Sequence, residues 1–175
     1  TTIGNLFASD PDLGGVQAIS SSRHSLFIDS NGSAWAMGPN GSGALGDGTT
    51  YPSATPKKVI DKNVTAVAAG YSHSLFLKKD GSLWSTGNNW LGQLGDSTNS
   101  NRSSPVRVID ANVHSIAAGA FHSLFLKKDG SLWAMGQNEN GQLGDGTNTD
   151  RSSPVNVVDA NVTFITAGYY NSFFL

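Results

Sequence analysis

Every 49 residues the sequence repeats itself. His24, His73 and His122 stand one period apart, and Asn171 takes the fourth place in the series. Trp35, Trp84 and Trp133 keep the same interval, as do Asp47, Asp96 and Asp145, and Pro56, Pro105 and Pro154. Residues 64–112 and 113–161 agree at 34 of 49 positions, including an uninterrupted HSLFLKKDGSLW. Self-similarity of this length belongs to duplicated units that stack, each burying a face against its neighbour.

Within a period the strand signals are regular. Val64–Ala69 is β-branched and small, Gly70-Tyr71-Ser72 reads as a tight turn, and His73–Lys78 follows as a second strand. Asp80-Gly81 is a hairpin signal, and Ser82–Gly87 is a third strand. An Asn/Gly/Ser/Asp segment from Asn88 to Ser104 leads to a fourth, Pro105–Ile109, with the proline at its start because it cannot donate to a central ladder. Val162–Ala167 and Asn171–Leu175 repeat the first two strands only. The prediction is an all-β chain of propeller blades, four antiparallel strands each, about three and a half blades in 175 residues. The units run about 16–63, 64–112, 113–161 and a partial 162–175, and residues 1–15 match none of them. A helical solenoid is excluded, because no 3.6-residue apolar period runs through the repeat.

Composition narrows the function. Eleven Lys and Arg against thirteen Asp and Glu give a net charge of −2, so the chain lacks the clustered basic surface of a nucleic-acid binder. No apolar run approaches the roughly 18 residues of a membrane span. With no cysteine there are no disulfides, thiolate metal sites or cysteine nucleophiles, and the compartment is left open. No GxSxG elbow, Walker-type loop or HExxH is present. The expectation is a non-enzymatic protein with no cofactor.

The pattern AAG-x-x-HSLFLKKDGSLW-x-x-G-x-N-x-x-GQLGD resembles the regulator of chromosome condensation repeat. It is carried by Ala68-Ala69-Gly70, His73, Asp80-Gly81, Gly87, Asn89 and Gly92-Gln93-Leu94-Gly95, and by the same series one period on. The resemblance implies a β-propeller, usually of seven blades, that acts as a protein-interaction platform. Members of that family include small-GTPase exchange factors, plant photoreceptors and bacterial inhibitors of β-lactamases. The sequence departs from the pattern in places. Met37, Thr86 and Met135 stand where a Trp is common, with Trp35, Trp84 and Trp133 two residues earlier. The first repeat is one residue shorter, has Ser21 or Ser22 for the turn glycine, and has Ala44 for Gln.

The periodic histidines His24, His73 and His122 read as structural imidazoles, since each belongs to a separate blade and metal ligands must converge within about 2.1 Å of one ion. No metal is expected. Trp35, Trp84 and Trp133 read as blade-packing residues. The loop Asp145-Gly-Thr-Asn-Thr-Asp150 lacks the terminal bidentate Glu of a hand-type calcium loop, so its aspartates are expected to bond backbone amides.

Positions that vary on the constant scaffold point to partner contact. Between the turn glycine and the His the repeats carry Arg23, Tyr71, Phe121, Tyr169 and Tyr170, where a tight turn ordinarily carries Asn, Gly or Asp. These types are enriched at binding hot spots, and the resemblance places this turn on a partner-facing surface. Trp90, in the long loop, is expected to serve the other face. The leading expectation is a propeller that binds a protein partner through rim loops. Alternatives are a half-propeller built for self-assembly and, by resemblance, an enzyme inhibitor or small-GTPase exchange factor. No family-type GTPase-contacting insertion and no basic tail are visible. Two copies would supply about 28 strands, enough for a seven-bladed ring, which predicts a homodimer. The rival is a fragment of a longer chain, because Asn171-Ser-Phe-Phe-Leu175 stops apolar and mid-strand.

Overall fold

The computed structural model describes residues 15–175, so the unplaced segment, apart from Gly15, lies outside the described residues. β1 (Val16–Ser21), β2 (Ser25–Asp29), β3 (Ala34–Gly38) and β4 (Ser53–Ile60) form one sheet in chain order. β5 (Val64–Ala69), β6 (His73–Lys78), β7 (Leu83–Gly87) and β8 (Arg102–Ile109) form the second. β9 (Val113–Ala118), β10 (His122–Lys127), β11 (Leu132–Gly136) and β12 (Arg151–Val158) form the third. β13 (Ile165–Ala167) and β14 (Ser172–Phe174) pair as a two-stranded sheet. All pairings are antiparallel, giving three four-stranded propeller blades and half of another. Among the described residues, no helix is long and apolar enough to cross a membrane.

The core lies between blades, which explains why the central strand of each is apolar on both faces. Side chains alternate across a strand. On β6, Phe76 points to the first blade and packs with Leu26, Ile28, Ala36 and Leu45. Leu75 and Leu77 point the other way, against Val113, Phe125 and Met135 of the third. One repeat on, Leu124 and Leu126 pack against Val162 and Ile165 of the half-blade. Trp35, Trp84 and Trp133 are half-buried against these layers, and Trp35 and Trp133 stack on Phe27 and Phe125 with centroids 6.1 Å apart.

Strand limits differ from expectation in instructive places. The fourth strand of the second blade begins at Arg102, because Gly87 pairs with Arg102 beyond a bulge that accommodates Pro105 on this outer strand. The first strand of the half-blade begins at Ile165. Val162 instead donates its N–H to Gly130 O in the hairpin of the preceding blade, at 3.1 Å, as Val64 does to Gly32 O and Val113 to Gly81 O.

Candidate functional site

The three periodic histidines are buried, and each reaches the next blade. His24 Nε2 lies 2.6 Å from Ser74 Oγ, His73 Nε2 2.9 Å from Ser123 Oγ, and His122 Nε2 3.0 Å from Ser172 Oγ. Each serine in turn donates to a main-chain carbonyl of the preceding blade's loop, Ala44, Gln93 or Gln142, at 2.7–2.8 Å. A serine has one proton to give. Once it is committed to the carbonyl, the histidine must be the donor, which fixes the Nε2–H tautomer. Nδ1 of His73 and of His122 is then a lone-pair atom, and neither has a hydrogen-bond partner among the described residues. Burial drives the imidazole pKa values down, to about 3 for His73 and about 4 for His24 and His122, so all three are neutral near pH 7. The glycine of Ala-Ala-Gly makes room for the ring: a Cβ on Gly119 would lie 2.1 Å from His122 Cε1.

The long loops are held from within. Asn89 accepts from Leu94 N at 2.9 Å and donates to Asp96 Oδ1 at 2.9 Å. Asp96 also accepts from Thr98 N and Thr98 Oγ1, and from Arg102 Nε at 2.7 Å. Asn138, Asp145, Thr147 and Arg151 repeat the arrangement. Hydrogen bonds from Thr147 and Arg151 outweigh desolvation and hold the Asp145 carboxyl down at about 2. These carboxylates are occupied by their own loops.

The variable turn residues converge on one end of the array. Ring centroids of Tyr71 and Phe121 are 5.5 Å apart, those of Phe121 and Tyr169 5.9 Å, and those of Tyr71 and Tyr169 6.0 Å. Tyr170 meets Tyr169 at 4.5 Å, edge to face. Main-chain bonds of 3.2 Å from Tyr71 N to Ala120 O and from Ala120 N to Tyr169 O join the successive turns beneath the rings. The Arg23 guanidinium sits 4.8 Å over the Tyr71 ring. Desolvation, with Tyr170 and Tyr71 alongside, pushes the Tyr169 hydroxyl pKa up.

Trp90 lies at this same end and not on the other face. It is 71 % exposed and lines a groove of about 350 Å³ together with Ser42, Tyr71, Ser72, Leu91 and Phe121. Strand parity is the reason: β7 runs back along β6, so the loop leaving β7 returns to the end at which β6 began.

The RCC1 repeat pattern, described as the regulator of chromosome condensation (RCC1) repeat, matches residues 31–77, 80–126 and 129–175. A second pattern of the same description matches 64–93 and 113–142. The chain belongs to the RCC1 repeat family. Each RCC1 match joins the last two strands of one blade to the first two of the next, so the sequence unit is offset from the structural one. Solved RCC1-type structures agree with the fold. Prp20p from Saccharomyces cerevisiae, studied for its binding properties to Gsp1p and histones, superposes with a TM-score of 0.81 at 22 % identity over 91 % of this chain. Human WBSCR16 gives 0.81 at 27 % identity over 91 % of this chain. Yeast RCC1 (Prp20) bound to Kap60 gives 0.80 at 25 % identity over 92 % of this chain. The chain spans 43 %, 44 % and 41 % of those three structures, respectively. Among curated protein sequences none matches it.

The departures from the RCC1 pattern have structural explanations. Ala44 in place of Gln keeps the bond between blades, because Ser74 uses the main-chain carbonyl of that position, but it lacks the side-chain bonds that Gln93 makes with Leu91 N and Asn88 Oδ1. The residue missing from the first repeat is in the turn: Ser22 N donates to His24 O as Gly70 N does to His73 O, with one residue between instead of two. Arg23 is that residue. Thr86 Oγ1 reaches Arg102 O at 2.7 Å and Gly43 O at 3.0 Å, tying its blade to the loop of the first. The serines Ser74, Ser123 and Ser172 were not singled out from sequence, although the His-Ser dipeptide recurs with the period and was the available signal.

Proposed function

We propose that this chain is a non-enzymatic protein-interaction propeller that docks a protein partner on its aromatic end. The observation that carries the reading is convergence: Tyr71, Phe121 and Tyr169 come from three repeats and meet on one surface, with Trp90 beside them. The conserved-pattern residues are used in blade packing and loop closure, whereas these positions differ between repeats. The fold supports the same role, since an RCC1-type relative of known structure, yeast RCC1, is seen bound to Kap60.

The test is to capture partners on the 175-residue chain, purify each candidate, and measure its affinity for wild type and for the Tyr71→Ala/Phe121→Ala/Tyr169→Ala variant. The variant is expected to bind on the order of 100-fold more weakly while its circular dichroism stays native. An unchanged affinity overturns the reading.

A second reading, self-assembly, is favoured by a separate observation. Ile19 on β1 is 54 % exposed, and Phe164, Phe173, Phe174 and Leu175 of the half-blade are 48–79 % exposed. The apolar side chains exposed on the half-blade, with Ile19 exposed on the first blade, suit contact with another copy of the chain, which would complete a seven-bladed ring. Light scattering at micromolar concentration is expected to give twice the monomer mass. A well-folded monomer removes this reading.

A further inference from the structure

The docking end is not uniformly apolar. A hollow lined by Arg23, His24, Pro39, Gly41, Ser42, Ala44, Tyr71 and Ser72 adjoins the Trp90 groove, and the two share Ser42, Tyr71 and Ser72. Together they make one channel with a guanidinium at one end and aromatic rings at the other. Arg23 differs from the other arginines at this end. Arg102 and Arg151 are each held by an aspartate of their own loop at 2.7 Å. Arg23 is exposed and makes no ion pair among the described residues; its guanidinium lies over the Tyr71 face, and its charge is also felt at Tyr169. A guanidinium over an aromatic face still has N–H groups to give, and its planar fork suits bidentate bonding to a carboxylate.

Resting on the protein-docking reading above, we infer that the channel takes an extended protein segment in which an Asp or Glu is followed closely by a large apolar side chain. The carboxylate pairs with Arg23, and the apolar group lies between Tyr71, Phe121 and Trp90. Charge complementarity selects this occupant over a basic segment, which would meet the uncompensated guanidinium. It also gives the shortened first turn a function: with one residue fewer, the turn carries Arg23 where its siblings carry Tyr71-Ser72, Ala120-Phe121 and Tyr169-Tyr170.

The probes are two end-blocked peptides, acetyl-Gly-Glu-Phe-Gly-amide and its Gln counterpart, titrated into the full chain. Binding is followed through the Arg23 side-chain N–H and Trp90 indole N–H resonances. The Glu peptide is expected to bind on the order of fivefold more tightly, and the preference to vanish in Arg23→Gln. Trp90→Ala is expected to weaken both peptides alike. Equal binding of the two peptides to wild type, a preference that survives Arg23→Gln, or no shift with either peptide at about 10 mM overturns the inference. Equal binding that Trp90→Ala weakens leaves the docking surface standing and removes only the acidic requirement. If thermal unfolding shows that Arg23→Gln perturbs the fold, Arg23→Lys keeps the charge, loses the bidentate fork, and is expected to show an intermediate preference.

Discussion

Between pH 7 and pH 4 the chain is expected to lose most of its folding stability. His24, His73 and His122 have an ordinary pKa of 6.5 when unfolded and about 4, 3 and 4 when folded. Because the folded values are depressed, the unfolded chain binds more protons below pH 6.5, and protons therefore pull the equilibrium toward unfolding. The neutral imidazoles contribute no penalty above pH 6.5. As pH falls from 6.5 to 4, each costs about 3 kcal/mol at about 1.4 kcal/mol per pH unit. Three such groups at successive blade interfaces approach the whole stability of a typical domain, about 5–15 kcal/mol. Aspartates with depressed values, such as Asp145 at about 2, act in a separate and more acidic window. Urea unfolding measured at intervals from pH 7 to pH 4 is expected to show a steep fall in midpoint. His73→Gln, whose amide can still donate to Ser123 but cannot take up a proton, is expected to flatten that fall by about a third. A midpoint independent of pH across this range would show that these rings are not held neutral.

Phe125→Ala is expected to cost about 3–5 kcal/mol. Its ring is fully buried between the second and third blades, among Leu75, Leu77, Leu83, Val113 and Met135. Truncation loses the transfer free energy of the ring and leaves a cavity, which flanking four-stranded sheets cannot easily close. Because the cores lie between blades rather than inside them, the loss is felt by both. Urea unfolding is expected to show a lowered midpoint, and amide exchange is expected to quicken in β6 and β10 together. Quickening confined to β10 would mean that the blades are stable singly.

Much of the fold is legible in the 49-residue period. His-Ser-Leu-Phe-Leu is apolar on both faces, and Asp-Gly in the following turn sets a hairpin, so a strand buried on both sides follows from local chemistry alone. Trp90 was legible too, because counting reversals of an antiparallel meander puts its loop on the same end as Tyr71. Other features were not. His73 and Ser123 are 50 residues apart, and nothing in either unit shows that the imidazole of one blade bonds to the serine of the next. The length of the fourth strand was also hidden, because pairing of Arg102 with Gly87 depends on a bulge that lets the chain pass Pro105.

Sequence alone determined the repeat, the four strands of each blade, and the absence of a strongly basic surface, because these depend on local turn chemistry, side-chain alternation and charge. The tertiary structure decided which surfaces exist. Stacking placed the cores between blades, locked the histidines in one tautomer through serines of the next blade, and gathered Arg23, Tyr71, Phe121 and Trp90 into one channel. Residues a whole period apart meet only when neighbouring blades pack, and the geometry of that packing is a property of the array and not of any one repeat.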